Sequence, residues 1–220
     1  MKGKIFKRVT ALLSAAAMLL TYADFSAIDF SVHAENGDEP MLSNYDLNGD
    51  GDYDDVGECG WGYELDSADD LYWFADRVLN NGERRLNAFL TKDITINSDV
   101  LINGELNTDG VFKEWTPVGK NDSNSFLGTF EGGGHTISGL YINSPEENAG
   151  NRVGLFGYNN GTIKNVCIAD SYIYGYCNVG SICGINNSNG TIENCCNSGV
   201  VKSIKKIWGG ICGRNTSTIT

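Results

Sequence analysis

The residues with the clearest chemical pattern lie in one acidic stretch, Asp46-Leu-Asn-Gly-Asp-Gly-Asp52. Its oxygen-bearing side chains stand at alternate positions, and a glycine stands at the sixth position. A calcium loop needs both features, the first for its ligands and the second for its sharp turn. The stretch therefore predicts a Ca²⁺ site, with Ca²⁺ as the one cofactor suggested and with these ligands: Asp46, Asn48, Asp50 and Asp52.

The same stretch resembles the first six positions of an EF-hand or dockerin calcium loop. Position twelve departs from that pattern, because Gly57 stands where a bidentate acid belongs. The sequence also contains no second copy of the loop, which argues against a dockerin. A solvated acidic linker is the alternative interpretation, and both stay open.

Aromatic side chains form a second group with chemical potential, since a ring with a polar edge can stack on a sugar. Tyr172 and Tyr174 share parity, so a strand over this stretch would place both on one face. Filling of corners and shielding of strand edges is the alternative role, and it is the one we prefer. The aromatic residues concerned are Tyr141, Tyr158, Tyr172, Tyr174, Tyr176 and Trp208.

The amino-terminal residues predict the compartment. A basic start precedes an apolar run from Val9 to Leu20, which is shorter than the roughly 20 residues of a membrane span. Residues 1–34 are therefore predicted to be a secretory signal peptide, with an uncleaved anchor as the alternative. The remaining 12 basic and 26 acidic residues give a net charge of −14, which argues against nucleic acid and anionic membranes as partners.

A helix is predicted at residues 67–82, after an acidic leading segment at residues 35–66. Ser67 and Asp70 form a capping-box pattern, with Asp in place of Glu. Asn80-Asn-Gly82 ends the helix with residues that tolerate left-handed backbone. Four apolar residues at helical spacing predict its buried face: Leu71, Phe74, Ala75 and Val78.

From Asn87 onward the chain has the pattern of short strands and turns. Apolar or β-branched runs at 89–96, 126–130 and 136–142 are bounded by turn-forming residues. Two blocks then recur: residues 153–157 return at 180–184 and 209–213, and residues 161–165 return at 190–194 and, weakly, at 217–219. The intervals are 27 or 29 residues for both blocks, so the two blocks recur together along the chain.

This interval decides the architecture. A β-propeller blade needs roughly 40 residues, and the leucine ladder of leucine-rich repeats is missing. Units this short cannot bury a face alone and must stack on one another. We therefore predict an all-β fold, a parallel β-helix over residues 83–220, with Ile163, Ile192 and Ile219 stacked inside and Asn165 and Asn194 stacked at one turn.

Six of the seven cysteines lie in the repeats. Two pairs, Cys167 with Cys196 and Cys183 with Cys212, occupy equivalent positions, which lie within disulfide range by their Cα distance. Parallel stacking often points both thiols the same way, and the count is odd, so buried free thiols are favoured over bridges. Zinc is disfavoured, since no CxxC pair occurs and His135 is the one histidine after residue 34.

The repeat blocks resemble the GLUG motif of bacterial secreted and surface proteins, in which an apolar Gly-rich turn precedes a G-x-I-x-N corner. Gly154-Leu-Phe-Gly157 with Gly161-Thr-Ile-Lys-Asn165 matches that motif, as do residues 180–184 with 190–195. The stretch that commonly precedes such repeats is matched by residues 69–75, 88–94, 115–119 and 126–140, so the resemblance covers roughly residues 66–220. It implies a right-handed β-helix whose N-terminal end is capped by the helix at 67–82, and it carries over no catalytic residue.

These features predict a secreted or surface-displayed β-helix module with an adhesive, binding or structural role. Its expected partners are glycans or host or cell-surface proteins. A carbohydrate-active enzyme (a polysaccharide lyase or hydrolase, or a non-catalytic module of one) is the alternative. Asp170 and Glu193 are the acids of residues 154–220, and one acid per repeat is typical of a solvated face, so no catalytic residue is predicted. The stop at Thr220 without a cap predicts a fragment of a longer protein.

Overall fold

The computed structural model describes residues 39–46, 59–147, 151–205 and 207–220. The predicted signal peptide lies outside these ranges. The described part begins with an antiparallel pair, β1 (Leu42–Asp46) and β2 (Cys59–Leu65). β2 then pairs in parallel with β3 (Ala88–Leu90), so this hairpin continues directly into the sheets that follow.

The helix α1 (Ala68–Asn80) confirms the predicted helix. The Ser67 hydroxyl accepts a hydrogen bond from the Asp70 amide at 3.2 Å, and the Asp70 carboxylate accepts one from the Asp66 amide at 3.1 Å. Gly82, with φ of +74°, follows its carboxyl end. Its buried residues are the four that the sequence predicts. No helix in the described part of the chain is both long and apolar enough to cross a membrane.

The rest of the described chain forms short strands separated by turns, with one 3-10 turn at Asp122–Asn124. The strands are β3 (Ala88–Leu90), β4 (Ile94–Thr95), β5 (Leu101–Ile102), β6 (Glu105–Leu106), β7 (Thr129–Glu131), β8 (Thr136–Ser138), β9 (Tyr141–Ser144), β10 (Phe156–Asn159), β11 (Thr162–Lys164), β12 (Cys167–Ala169), β13 (Tyr172–Gly175), β14 (Cys183–Asn186), β15 (Thr191–Glu193), β16 (Cys196–Asn197), β17 (Val200–Ser203), β18 (Cys212–Asn215) and β19 (Thr218–Ile219).

Most of these strands pair in parallel with the equivalent strand of the next repeat. Sheet 1 has the order β1-β2-β3-β7-β11-β15-β19, sheet 2 the order β4-β8-β12-β16, sheet 3 the order β9-β13-β17 and sheet 4 the order β10-β14-β18. Ile163 lies opposite Ile192, 29 residues on, and Ile192 lies opposite Ile219, 27 residues on. The predicted all-β class and the repeat intervals are confirmed.

The predicted extents of the first strands are wrong. The run 89–96 is divided between β3 and β4, and the run 136–142 between β8 and β9, which belong to different sheets. Within 126–130, the strand begins at Thr129. Gly139 makes one of these corners: its φ is +75°, and a Cβ there would overlap the Asn97 carbonyl oxygen. Hydrophobic periodicity cannot detect such a corner, because apolar residues continue on both sides of it.

Side chains from the parallel sheets fill a common interior. Phe130, Ile163 and Ile192 of sheet 1 are at most 1% exposed. Ile219, the third isoleucine of the predicted stack, is 41% exposed because β19 is the last strand of sheet 1. The predicted stack therefore exists, but its last member is not buried in the structure.

Helix α1 covers an aromatic cluster. The Phe74 ring centroid lies 5.8 Å from that of Phe126, 5.5 Å from that of Phe130 and 6.4 Å from that of Phe156. All four phenylalanines are fully buried. The helix thus packs its apolar face against strands of sheets 1 and 4 and the loop before them.

Candidate functional site

Sheet 3 carries aromatic residues on its outward side. Ile142 in β9 and Ile173 in β13 point into the interior and are 1% and 0% exposed. Because side chains alternate along a strand, Tyr141, Tyr172 and Tyr174 lie on the opposite face. Tyr141 and Tyr172 are direct partners in the parallel register, so their rings stand one above the other.

These rings form a continuous series, which we call the aromatic strip: Phe112, Tyr141, Tyr172 and Tyr174. The centroids of Phe112 and Tyr141 lie 5.2 Å apart, and those of Tyr141 and Tyr172 lie 6.3 Å apart with the planes inclined by 24°. Tyr172 and Tyr174 are also 6.3 Å apart. All three distances fall within the range at which aromatic rings attract one another.

An open groove of about 540 Å³ lies beside Tyr172 and Tyr174. Lys202 lies at its wall, with Nζ 5.3 Å from the Tyr172 ring centroid, in the range of a cation–π contact. None of the described residues that line the groove is acidic. Its other lining residues are Val201, Ser203 and Trp208.

Trp208 contributes the most exposed ring of this groove. It forms a β-bridge with Val179, which forms one with Val153 in the preceding repeat. Both valines are buried, whereas Trp208 is 57% exposed. The equivalent position therefore changes from a core residue to a solvent-facing indole in the last described repeat.

The hydroxyl of Tyr172 stays neutral well into the alkaline range. Burial raises its pKa above the ordinary tyrosine value, and the neighbouring Tyr174 and Tyr141 raise that pKa further. A neutral phenol both donates and accepts hydrogen bonds. The strip thus offers flat apolar ring faces together with hydroxyl groups that can both donate and accept hydrogen bonds.

The six aromatic residues singled out in the sequence are only partly brought together. Tyr141, Tyr172, Tyr174 and Trp208 meet at the strip and its groove, whereas Tyr158 belongs to β10 in sheet 4. Tyr176 lies beyond β13, with Lys205 Nζ 5.3 Å from its ring centroid. The sequence did not indicate Phe112, because it lies in a loop whose position depends on a long-range bond from the Trp115 amide to the Tyr141 carbonyl, at 2.9 Å.

The two acids considered as catalytic candidates do not form a pair. The Asp170 carboxylate accepts hydrogen bonds from the Val100 and Leu101 amides, at 3.3 and 2.9 Å, and so fixes a loop. Asp170 itself has a φ of +43° at the end of β12. Glu193 lies in β15 of sheet 1, beside Lys164 in the register. Neither placement resembles two acids that converge on a substrate.

A buried charged cluster, which the sequence did not indicate, occupies one corner of sheet 1. Glu131 is 8% exposed, and its carboxylate accepts from Lys164 Nζ at 3.1 Å and from Asn165 Nδ2 at 2.9 Å. The Gly133 amide also donates to it, at 2.7 Å. The carboxylate has all the partners that a buried charge needs. The cluster therefore anchors a turn, and the signal that could have found it is the register of Glu131 with Lys164.

Asparagine side chains stack between repeats at two corners. Asn194 donates to the Asn165 side chain at 3.1 Å, which confirms the predicted pair. A second series, which we call the asparagine ladder, runs from Asn159 to Asn186 to Asn215, with amide-to-amide distances of 2.9 Å at both steps. The sequence signal for this ladder is an asparagine at the same position of each repeat.

The prediction of free thiols is wrong for one pair of cysteines. Cys167 and Cys196 are linked by a disulfide, with their Cα atoms 4.5 Å apart. Both side chains lie outside the core, where equivalent positions of β12 and β16 bring the sulfurs together. The other predicted pair is unlinked: Cys183 is buried and Cys212 is half-buried, and both are free.

The predicted calcium site lies largely outside the described residues. Asp46 ends β1, with its backbone opposite Cys59, while Asn48, Asp50 and Asp52 fall in the undescribed range. Within the described ranges, no group of three or more His, Cys, Asp or Glu side chains could hold a metal ion. The calcium site stays a prediction.

Comparison with known proteins shows similarity to small parts of longer ones. The chain is 33% identical over 155 residues to halomucin of Haloquadratum walsbyi, which covers 70% of this chain and 2% of halomucin. It is 39% identical over 61 residues to a putative Gly-rich membrane protein of Evansella cellulosilytica, which covers 27% of this chain and 7% of that protein. No protein-family model and no solved structure matches the chain.

Proposed function

We propose that this chain is a segment of a secreted or cell-surface protein, that it folds as a right-handed parallel β-helix, and that its aromatic strip binds glycans. Its role is adhesive or structural and not catalytic. The observation that carries the proposal is the register of the repeats, which places equivalent side chains above one another on the outer and inner faces. Such stacking gives an interior that stabilises the fold and an exterior that can present one pattern repeatedly.

The order of strands supports the β-helix. Residues 156–175 supply one strand each to sheets 4, 1, 2 and 3, and residues 183–203 supply the next four in the same order. Each set pairs in parallel with the one before it. The contacts of Phe74 with three core phenylalanines support a capping role for α1. The resemblance to GLUG repeats implies the same architecture.

Several features support an extracellular location. The amino-terminal pattern is that of a secretory signal peptide, and the Cys167–Cys196 disulfide suits an oxidising compartment. The similar proteins are named halomucin and a Gly-rich membrane protein. A net charge of −12 suits a soluble outer surface, and the acidic stretch from Asp46 to Asp52 would bind Ca²⁺ there.

The chemistry of the strip favours an acidic glycan. Its rings provide flat apolar faces, and the phenols and Ser203 provide hydrogen-bonding groups at the groove. Lys202 places a positive charge over Tyr172, although the chain as a whole is acidic. A uronic-acid polymer offers the complementary features, because it carries a carboxylate beside each sugar face. Local charge therefore selects an acidic over a neutral polymer.

The acids of the repeats support a non-catalytic role. Asp170 is engaged by two loop amides, and Glu131 is engaged by Lys164, Asn165 and Gly133. A general acid must be free to exchange a proton with its substrate. Because both carboxylates are already engaged in structural contacts, the enzymatic alternative gains no support from them.

Affinity electrophoresis tests the glycan proposal. The full chain is run through gels that contain polygalacturonate or neutral dextran, together with the Tyr141→Leu/Tyr172→Leu double variant and a matched Tyr158→Leu control. We expect polygalacturonate to retard the wild type and the control but not the double variant. Non-specific repulsion between an acidic protein and an acidic polymer would act in the opposite direction, so retardation reports specific binding.

Two outcomes would contradict the proposal. Equal retardation of the double variant would show that the strip is not the binding face. No retardation of the wild type by either polymer would show that the chain does not bind these glycans. Release of reducing or unsaturated sugars from polygalacturonate by the purified chain would instead favour the enzymatic alternative. Capture of a cell-surface protein through the same face would assign the role to a protein partner.

A further inference from the structure

A second pair of cysteines faces each other across the repeats. Cys183 in β14 and Cys212 in β18 are direct partners in the parallel register. Cys183 is fully buried, at the position that Phe156 occupies one repeat earlier, and Cys212 is half-buried. The two thiols influence each other's ionisation. Each sulfur also lies near the carbonyl two residues on in its own strand, at 3.1 Å for Cys183 and 3.2 Å for Cys212.

The same chain already contains a disulfide with this geometry. Cys167 and Cys196 are also direct partners in adjacent parallel strands, and they are separated by 29 residues, as are Cys183 and Cys212. The Cα distance of 4.5 Å across the linked pair lies within the range that disulfides span. Direct register between neighbouring strands is therefore compatible with a disulfide in this fold.

We propose that Cys183 and Cys212 form a second disulfide between the repeats, on the inner side of sheet 4, when the chain meets a disulfide-bonded oxidant. To form it, the two side chains turn from their own carbonyls toward each other. The new bond would join β14 to β18 from within, whereas Cys167–Cys196 joins β12 to β16 from outside. Successive repeats would then be crosslinked on two sides.

The positions of the two thiols set the order of the exchange. The neighbouring Cys183 thiol lowers the pKa of Cys212, whereas burial raises the pKa of Cys183. The Cys212 thiolate is also the more accessible nucleophile, so it attacks a sulfur of the oxidant and releases one thiolate. Cys183 then loses its proton and attacks the Cys212 sulfur, which releases the second thiolate. The oxidant disulfide is reduced to two thiols, which take up the two protons.

The other described thiols occupy different surroundings. Cys177 Sγ lies 3.0 Å from the Asn151 side-chain oxygen, and Cys195 Sγ lies 3.2 Å from the Glu193 carbonyl oxygen. Cys177 is therefore a matched control, because it is a half-buried free thiol in the same repeats. Its replacement leaves the proposed pair intact.

Peptide mapping tests the proposal directly. The full chain is reduced, reoxidised with glutathione disulfide, alkylated and cleaved with trypsin. No lysine or arginine lies between Lys164 and Lys202, so Cys183 falls in the peptide 165–202 and Cys212 in the peptide 207–214. We expect the two peptides to be joined before reduction and separated after it, whereas the Cys167–Cys196 bond stays within peptide 165–202. The join should disappear in Cys183→Ser and in Cys212→Ser and persist in Cys177→Ser.

Thermal unfolding gives a second readout that does not depend on the digest. Oxidation should raise the midpoint of the Cys177→Ser variant by about 5 °C more than that of the Cys212→Ser variant, since a crosslink restricts the unfolded chain. Recovery of peptide 207–214 as a free alkylated species, or as a stable adduct with glutathione, would overturn the proposal. A join to peptide 165–202 that survives in Cys183→Ser would also overturn it.

Discussion

The asparagine ladder and the aromatic strip are built in the same way but lie in different surroundings. In both, residues at one position of successive repeats lie above one another in adjacent parallel strands. Asn159 and Asn186 are fully buried, whereas the strip lies on the outward face of sheet 3. The first two members of the ladder are closed to solvent, and Asn215 is exposed. In the strip, Phe112, Tyr141 and Tyr174 are half-buried, and Tyr172 is 8% exposed.

The difference lies in how each side chain uses its neighbours. An amide carries both donors and acceptors, so Asn186 accepts from Asn159 and donates to Asn215 and to the carbonyls of Gly190 and Thr218. A stacked ring uses one face or edge against its neighbour and leaves the other available. Repeating an amide therefore gives a series whose side chains satisfy one another's hydrogen bonds. Repeating an aromatic ring leaves ring surface that can bind a ligand.

The largest expected effect comes from interrupting the ladder. Asn186→Leu removes an acceptor for Asn159 and the donor for the buried Gly190 carbonyl and for the Thr218 carbonyl. We therefore expect a loss of about 3 kcal/mol in the free energy of unfolding. Chemical denaturation measures it, and Asn187→Leu, at the less buried neighbouring position, is the matched control with an expected loss of under about 1 kcal/mol. Equal losses in the two variants would show that the ladder does not stabilise the fold.

Local pattern accounts for what the sequence predicted well. The helix at 68–80, its cap at Ser67 and its four buried residues follow from spacing within one element. The intervals of 27 and 29 residues fixed which residues are partners across sheets 1 and 4. A stacked fold makes long-range contacts predictable, because the partner of each residue lies one repeat away.

Contacts outside the repeat could not be predicted in this way. Phe112 joins the strip from a loop, and Asp170 binds amides some 70 residues earlier in the chain. The disulfide was not predicted, because the sequence gives the register of Cys167 and Cys196 but not the side-chain rotamers that orient their sulfur atoms. The corner at Gly139 depends on the position of Asn97, which sequence periodicity does not encode.

The second prediction concerns one ring of the strip. Tyr172→Leu keeps apolar bulk but removes the flat face, so we expect the affinity for polygalacturonate to fall about tenfold, equivalent to roughly 1.4 kcal/mol. The free energy of unfolding should fall by about 2 kcal/mol, because Tyr172 is 8% exposed and the change leaves part of its volume empty. Isothermal titration calorimetry and denaturation separate the two effects. A loss of stability with unchanged affinity would show that Tyr172 is a structural residue, as the ladder asparagines are.

Removing the charge at the groove should have a smaller effect. Lys202→Gln keeps most of the side-chain length, and we expect the affinity for polygalacturonate to fall about threefold at low salt, as for an exposed ion pair of under 1 kcal/mol. The difference from wild type should shrink as salt is raised. Lys92→Gln, a lysine that contacts Asp66 away from the strip, serves as the control and should bind like wild type. A salt-independent loss would indicate a packing role for Lys202.

The smallest effect is the dependence of stability on alkaline pH. Burial is the main cause that raises the pKa of Tyr72 to about 12, and the pKa of Tyr172 is also raised, so the folded state keeps both phenols neutral. Their contribution to stability is complete below pH 10, where unfolded tyrosine is also neutral, and is lost as pH rises through the folded values. Tyr72→Phe and Tyr172→Phe should therefore each lose less stability than wild type between pH 9 and pH 11. Thermal midpoints at the two pH values measure this, and identical losses would contradict it.

The most direct test of the account is an NMR titration of the full chain, labelled in its tyrosine rings, with an oligogalacturonide. The position of the strip on the outward face of sheet 3 predicts shifts for Tyr141, Tyr172 and Tyr174, with Tyr158 and Tyr63 unchanged. Shifts confined to Tyr158 or Tyr63, or no shift at saturating oligosaccharide, would contradict the claim that the outward face of sheet 3 is the binding surface.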